Sequence, residues 1–74
     1  MKLVSISPSK LIKIVESLEF IEIRQKGSHK TFTHSDGRIF TIPFHSNKDI
    51  PVGLLNKIIK DDLKLSREEF EKLL

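Results

Sequence analysis

A chain of 74 residues, 38% hydrophobic and 31% charged, is one domain near the lower limit of size, with a small core and marginal stability. The absence of cysteine excludes a disulfide framework, thiol catalysis and a thiolate metal site, and it fits a reducing cytoplasm. The opening MKLVSISPSK has no sustained apolar run and is not read as a signal peptide, and no stretch approaches the roughly 20 apolar residues of a membrane span, so a soluble domain over residues 1–74 is expected.

Ser7 and Pro8 read as an N-cap and a first helical residue, because proline at that place gives up an N–H that would be unpaired anyway. Leu11, Ile14, Val15 and Leu18 then recur at helical spacing, which predicts a helix over residues 8–18 with its apolar stripe in the core. Residues 20–26 alternate, and the expected strand buries Ile21 and Ile23 while Glu22 and Arg24 face out. Gly27 breaks that run with the positive φ of a tight turn.

A second strand follows over residues 28–34, with Phe32 marking its buried face. Ser35-Asp36-Gly37 is the chemistry of a three-residue hairpin loop, and it leads into a third strand over residues 38–44. Phe40, Ile42 and Phe44 share one face of that strand, and Pro43 confines it to an edge or a strand end. A second helix is expected over residues 51–61, with Asp49 as its cap and Val52, Leu55, Ile58 and Ile59 on its stripe. Ser66 to Glu69 forms a capping box for a short closing helix that carries Phe70, Leu73 and Leu74. The fold class is therefore α+β: an α-β-β-β-α order, a three-stranded antiparallel meander with the helices on one face, and a short C-terminal helix.

The net charge of +3 is unevenly spread. Residues 24–48 hold Arg24, Lys26, Lys30, Arg38 and Lys48 against Asp36 alone, together with all three histidines. A localised basic patch attracts polyanions, of which nucleic acid is the commonest, although lysine and arginine also serve simply to solvate a sheet. Strand alternation puts His29, Thr31 and Thr33 on the face opposite Phe32, which is open to solvent if the helices cover the other. The loop at residues 35–37 pairs position 34 with 38, and so sets His29 opposite Pro43 and diagonal to Thr41 and His45.

His29 and His34 point to opposite faces, and His29 with His45 lacks the third protein ligand that catalytic zinc requires, so no metal is expected. Histidine near lysine and arginine suits acid–base chemistry at a phosphate, but a lone exposed histidine is more often an ordinary surface residue. The residues alone leave those two readings open. His34, of the other parity, reads as structural.

The runs FIEIRQKGSHKTF and DGRIFTIPFH, followed by a polar loop and VGLLNKIIK, resemble the HicA family of bacterial toxins from helix 1 to Ser66. The Gly27-Ser28-His29 step and the Pro43-x-His45 pair are the most specific parts of the likeness. The resemblance implies a double-stranded-RNA-binding-domain-like fold. It also implies a small endoribonuclease that cleaves mRNA, is neutralised by a HicB-like antitoxin protein, and uses His29 as its catalytic histidine.

The expected site is His29 as general acid or base, with Arg24, Lys26, Ser28 and Lys30 at the RNA phosphates, His45 as an auxiliary group, and no metal or other cofactor. Glu19 and Ser46 stand where the family commonly has glycine, and both positions bear on turns. The alternatives are a non-catalytic double-stranded-RNA-binding module and a protein-interaction subunit, neither of which needs a histidine at position 29.

Overall fold

The computed structural model describes residues 4–45 and 48–74. The chain runs α1 (Pro8–Ser17), β1 (Ile21–Lys26), β2 (His29–Thr33), β3 (Ile39–Pro43), α2 (Val52–Lys57) and α3 (Arg67–Glu71), and α2 continues directly into a π-helical turn, Ile58–Asp62. This is the expected α-β-β-β-α arrangement. The Ser7 hydroxyl accepts from the Lys10 N–H (3.2 Å) with Pro8 inside the first turn, so the predicted start of α1 is the observed one.

The end of α1 places Glu19 in a left-handed turn. The Phe20 N–H donates to the Val15 carbonyl and the Glu19 N–H to the Glu16 carbonyl, which is the paired bonding of a Schellman stop. That stop requires a left-handed residue, and Glu19 adopts φ 71°. A side chain costs of order 1 kcal/mol in that region, which is why glycine suits the position.

The three strands form one antiparallel sheet in the order β1-β2-β3. Gly37, at φ 99°, closes the β2–β3 loop, the His34 N–H donates to the Arg38 carbonyl, and His29 pairs with Pro43, so the register matches the one read from the loop. Phe32, Phe40 and Ile42 form the inner face of the sheet, packed with Leu11, Ile14 and Val15 of α1 and with Leu55, Ile58 and Ile59. The helices thus cover one face of the sheet and leave the other open.

β1 corrects the sequence reading. Ile21 and Ile23 do not face the core; they are 67% and 52% exposed. The register shifts between Glu22 and Arg24, so that Ile23 is the extra residue of a bulge, while Glu22 pairs with Phe32 and Ile21 with Thr33. Phe20, just before the strand, fills the core in their place, edge-on to Phe40 and to the His34 ring at centroid distances of 5.3 and 5.0 Å. His34 also accepts the Asp36 N–H at Nδ1 (3.1 Å), which is the structural place expected of it.

Asp49 does not cap the second helix. Its N-cap is Pro51 and no side chain bonds there, because the preceding Ile50 is held in a bridge to Ile6. After Lys57 the helix widens, and the Leu63 N–H reaches back five residues to the Ile58 carbonyl. That spacing lets Ile58, Ile59 and Leu63 all bury against the sheet. The Ser66–Glu69 capping box forms as read, and the Ser66 N–H holds the Glu69 carboxyl below its ordinary pKa. Phe70 is buried by α3, whereas Leu73 and Leu74 remain exposed rather than closing the core. No helix of the described residues is long and apolar enough to cross a membrane.

Candidate active site

The β1–β2 turn contains only Gly27 and Ser28, flanked by the closing pair Lys26 and His29. Gly27 is at φ 60°, as the first central position of a tight hairpin turn with glycine there requires. The Ser28 carbonyl accepts the Phe44 N–H (2.5 Å), which continues the β2–β3 ladder into the turn, and the Gln25 side chain donates to the Gly27 carbonyl (3.2 Å). The turn is therefore pinned on both sides. His29 sits on the central strand immediately after it.

An open cleft of about 760 Å³ lies on the uncovered sheet face, lined by Arg24, Lys26, Gly27, Ser28, His29, Thr31 and Thr41. Thr31 and Thr41 are direct cross-strand partners and form the floor, with their hydroxyls 3.2 Å apart. His29 is exposed at the rim, and no described side chain hydrogen-bonds to it.

Lys48 is exposed and away from the cleft, and the other four cations of the middle segment divide into two groups. Arg38 is engaged three ways: with Asp36 (Nε to Oδ2, 2.8 Å), with the Leu63 carbonyl (2.6 Å) and over the Phe20 ring (4.9 Å). The Arg38 N–H in turn holds the Asp36 carboxyl below its ordinary pKa. Lys30 points to the helix-covered side, where it meets Glu22 (3.6 Å) and lies over Phe44 (4.7 Å). Arg24 and Lys26 have no carboxylate partner among the described residues, and both line the cleft. The unpaired cations of β1 and the exposed His29 thus share one concavity.

Of the residues singled out in the sequence, the structure brings together Arg24, Lys26, Ser28 and His29. It does not bring Lys30 to them, because consecutive side chains on a strand alternate. His45 is exposed just beyond β3 and does not line the cleft, and Ser46 lies outside the described residues. The threonine floor was not anticipated as part of the site, although the shared parity of Thr31, Thr41 and His29 carries the signal. Among the described residues no group of three or more histidine, aspartate or glutamate side chains is placed to hold a metal ion.

A small α+β domain with one accessible histidine set among free cations on an open sheet face is the class of protein these features define. The sequence matches the family model described as the HicA toxin of bacterial toxin–antitoxin systems over residues 8–62, and the chain belongs to that family. No curated protein matches it. The match covers every element from α1 through the π-helical turn, and with it the whole cleft. Family membership makes the chain a toxin component with an antitoxin as its partner.

Proposed function

We propose that the chain is a metal-independent endoribonuclease that cleaves mRNA in the cytoplasm, with His29 as the general acid and base. The observation that carries this reading is the placement of exposed His29 in one cleft with Arg24 and Lys26, the two cations of β1 left without a carboxylate partner. The two cations hold the phosphate. His29 takes the proton from the neighbouring 2′-hydroxyl as its oxygen attacks phosphorus, and the imidazolium returns a proton to the departing 5′-oxygen. The bond to the 2′-oxygen forms and the bond to the 5′-oxygen breaks, so no water or other reactant is consumed. Ser28 shapes the turn that aims His29, and His45 lies outside this set as an auxiliary group.

A HicB-like antitoxin inhibits, in this reading, by covering the open face and withdrawing His29 from RNA. Two features support it. The free cations draw acidic protein and RNA to the same place. At the far end of the face Ile21 and Ile39 flank Thr33 in one cross-strand row, and both isoleucines are more than half exposed. Aliphatic side chains offer RNA little but give a protein partner an apolar anchor.

A titration tests the shared face. Saturating antitoxin should abolish RNA binding, and Lys26→Glu should weaken both ligands. Ile39→Glu should weaken only the antitoxin, and Lys60→Glu on the helical side should weaken neither. RNA affinity should fall with salt at a log–log slope of about −1.4, for two phosphates neutralised on a single strand. RNA affinity left unchanged by saturating antitoxin would point to inhibition from a remote site.

A further inference from the structure

We infer that Thr31 and Thr41 are ribose-positioning residues: their paired hydroxyls receive the 2′-hydroxyl on the 5′ side of the scissile phosphate and orient its oxygen for attack. The inference rests on the ribonuclease reading of the cleft. Thr31 is the one buried polar side chain among the described residues, only 7% exposed, although it lies on the face the helices leave uncovered. It is buried because it sits on the central strand, flanked by Arg24 on β1 and by Thr41 on β3.

Packing alone does not call for hydroxyls at these positions. Valine has the same shape, favours strands at least as well, and carries no polar group to desolvate. Two hydroxyls bonded to each other (Oγ1 to Oγ1, 3.2 Å) still leave one hydrogen and several lone pairs unused. The pair can therefore donate a hydrogen bond to the 2′-oxygen of a ribose, whose own proton is left for His29. No other described side chain bonds to it, and the cleft lies directly above.

The position along the strand fits the role. Thr31 follows His29 by two residues on the same face, about 7 Å along an extended strand, and Thr41 is its diagonal neighbour at a similar distance. Phosphate held between Arg24 and Lys26 then leaves the adjoining ribose over the threonine floor, with its 2′-oxygen between the floor and the imidazole. The floor discriminates ribose from deoxyribose at the step before chemistry.

The test uses Thr31→Val and Thr41→Val, singly and together, on an oligoribonucleotide whose cleaved bond has been mapped with the wild-type chain. The expected result is an unchanged or higher melting temperature, with kcat/KM lowered roughly tenfold per lost hydrogen bond and activity restored by Thr31→Ser. A single 2′-deoxy substitution at the mapped nucleotide should weaken binding to the His29→Ala protein by a similar factor. It should not weaken binding to His29→Ala that also carries both valines. If Thr31→Val does not fold, the exposed Thr41→Val decides the matter by the same readouts. Valine variants that keep wild-type kcat/KM and wild-type deoxy discrimination overturn the inference and reduce the pair to a cross-strand contact. A wild-type chain that cuts no RNA overturns the ribonuclease reading and this inference together, whereas untouched valine kinetics in a chain that does cut RNA overturns this inference alone.

Discussion

His29→Ala should leave the thermal melt where it is and lower RNA cleavage by about 10²–10⁴-fold, the usual worth of a positioned acid–base group. The fold should survive because the imidazole is exposed and bonds to no described side chain. What β2 needs from position 29 is its backbone, paired with Lys26 on one side and Pro43 on the other. Alanine retains both pairings, and exposed substitutions of this kind shift stability by no more than about 0.5 kcal/mol. Toxicity in cells should disappear in parallel with cleavage. Wild-type cleavage by the alanine variant, measured beside an unchanged melt, would remove His29 from the mechanism.

Phe32→Ala should have the opposite signature. Phe32 stands next but two to His29 on the same central strand, yet its ring is fully buried on the helix side, 6.3 Å from the Phe40 ring. Truncating a buried phenylalanine costs about 3–5 kcal/mol through lost transfer energy and the cavity left behind. A domain of this length has a total stability on the order of 4–11 kcal/mol. The melting temperature should therefore fall by about 12–40 °C, and activity should vanish only because the chain is substantially unfolded. Circular dichroism against temperature reads this directly. A shift of less than about 5 °C would mean that the sheet does not rest on the Phe32 ring in the way its burial implies. The two variants together separate what builds the sheet from what acts on its open face.

The elements framed by strong local chemistry were legible in the sequence. Ser7-Pro8 placed the start of α1, the Ser66 capping box placed α3, and Gly37 fixed the loop from which the β2–β3 register and the position of His29 both follow. β1 was misread because Ile21 and Ile23 alternate as a buried strand would. An edge strand has one neighbour to impose its phase, and a bulge leaves no mark in the hydrophobic pattern. Glu19 bears on a turn, as read, and its φ of 71° marks the tight end of α1.

Within the site, strand parity decides more than nearness in sequence. Lys30 adjoins His29 in the chain but points through the sheet to Glu22, while Thr41, twelve residues away, shares the cleft. The division of the basic cluster into engaged and free cations depends on where Glu22, Asp36 and the Leu63 carbonyl fall in space, and no spacing rule supplies that.

The most direct measurement is the identity of the RNA ends that the purified chain produces, with EDTA present and with the all-deoxy strand of the same sequence as control. A single histidine acting on the 2′-hydroxyl predicts undiminished cleavage in EDTA, a 2′,3′-cyclic phosphate on one product, a 5′-hydroxyl on the other, and an intact DNA strand. Products ending in 3′-hydroxyl and 5′-phosphate, or cleavage that is lost in EDTA and restored by one divalent ion, would contradict the mechanism assigned to His29.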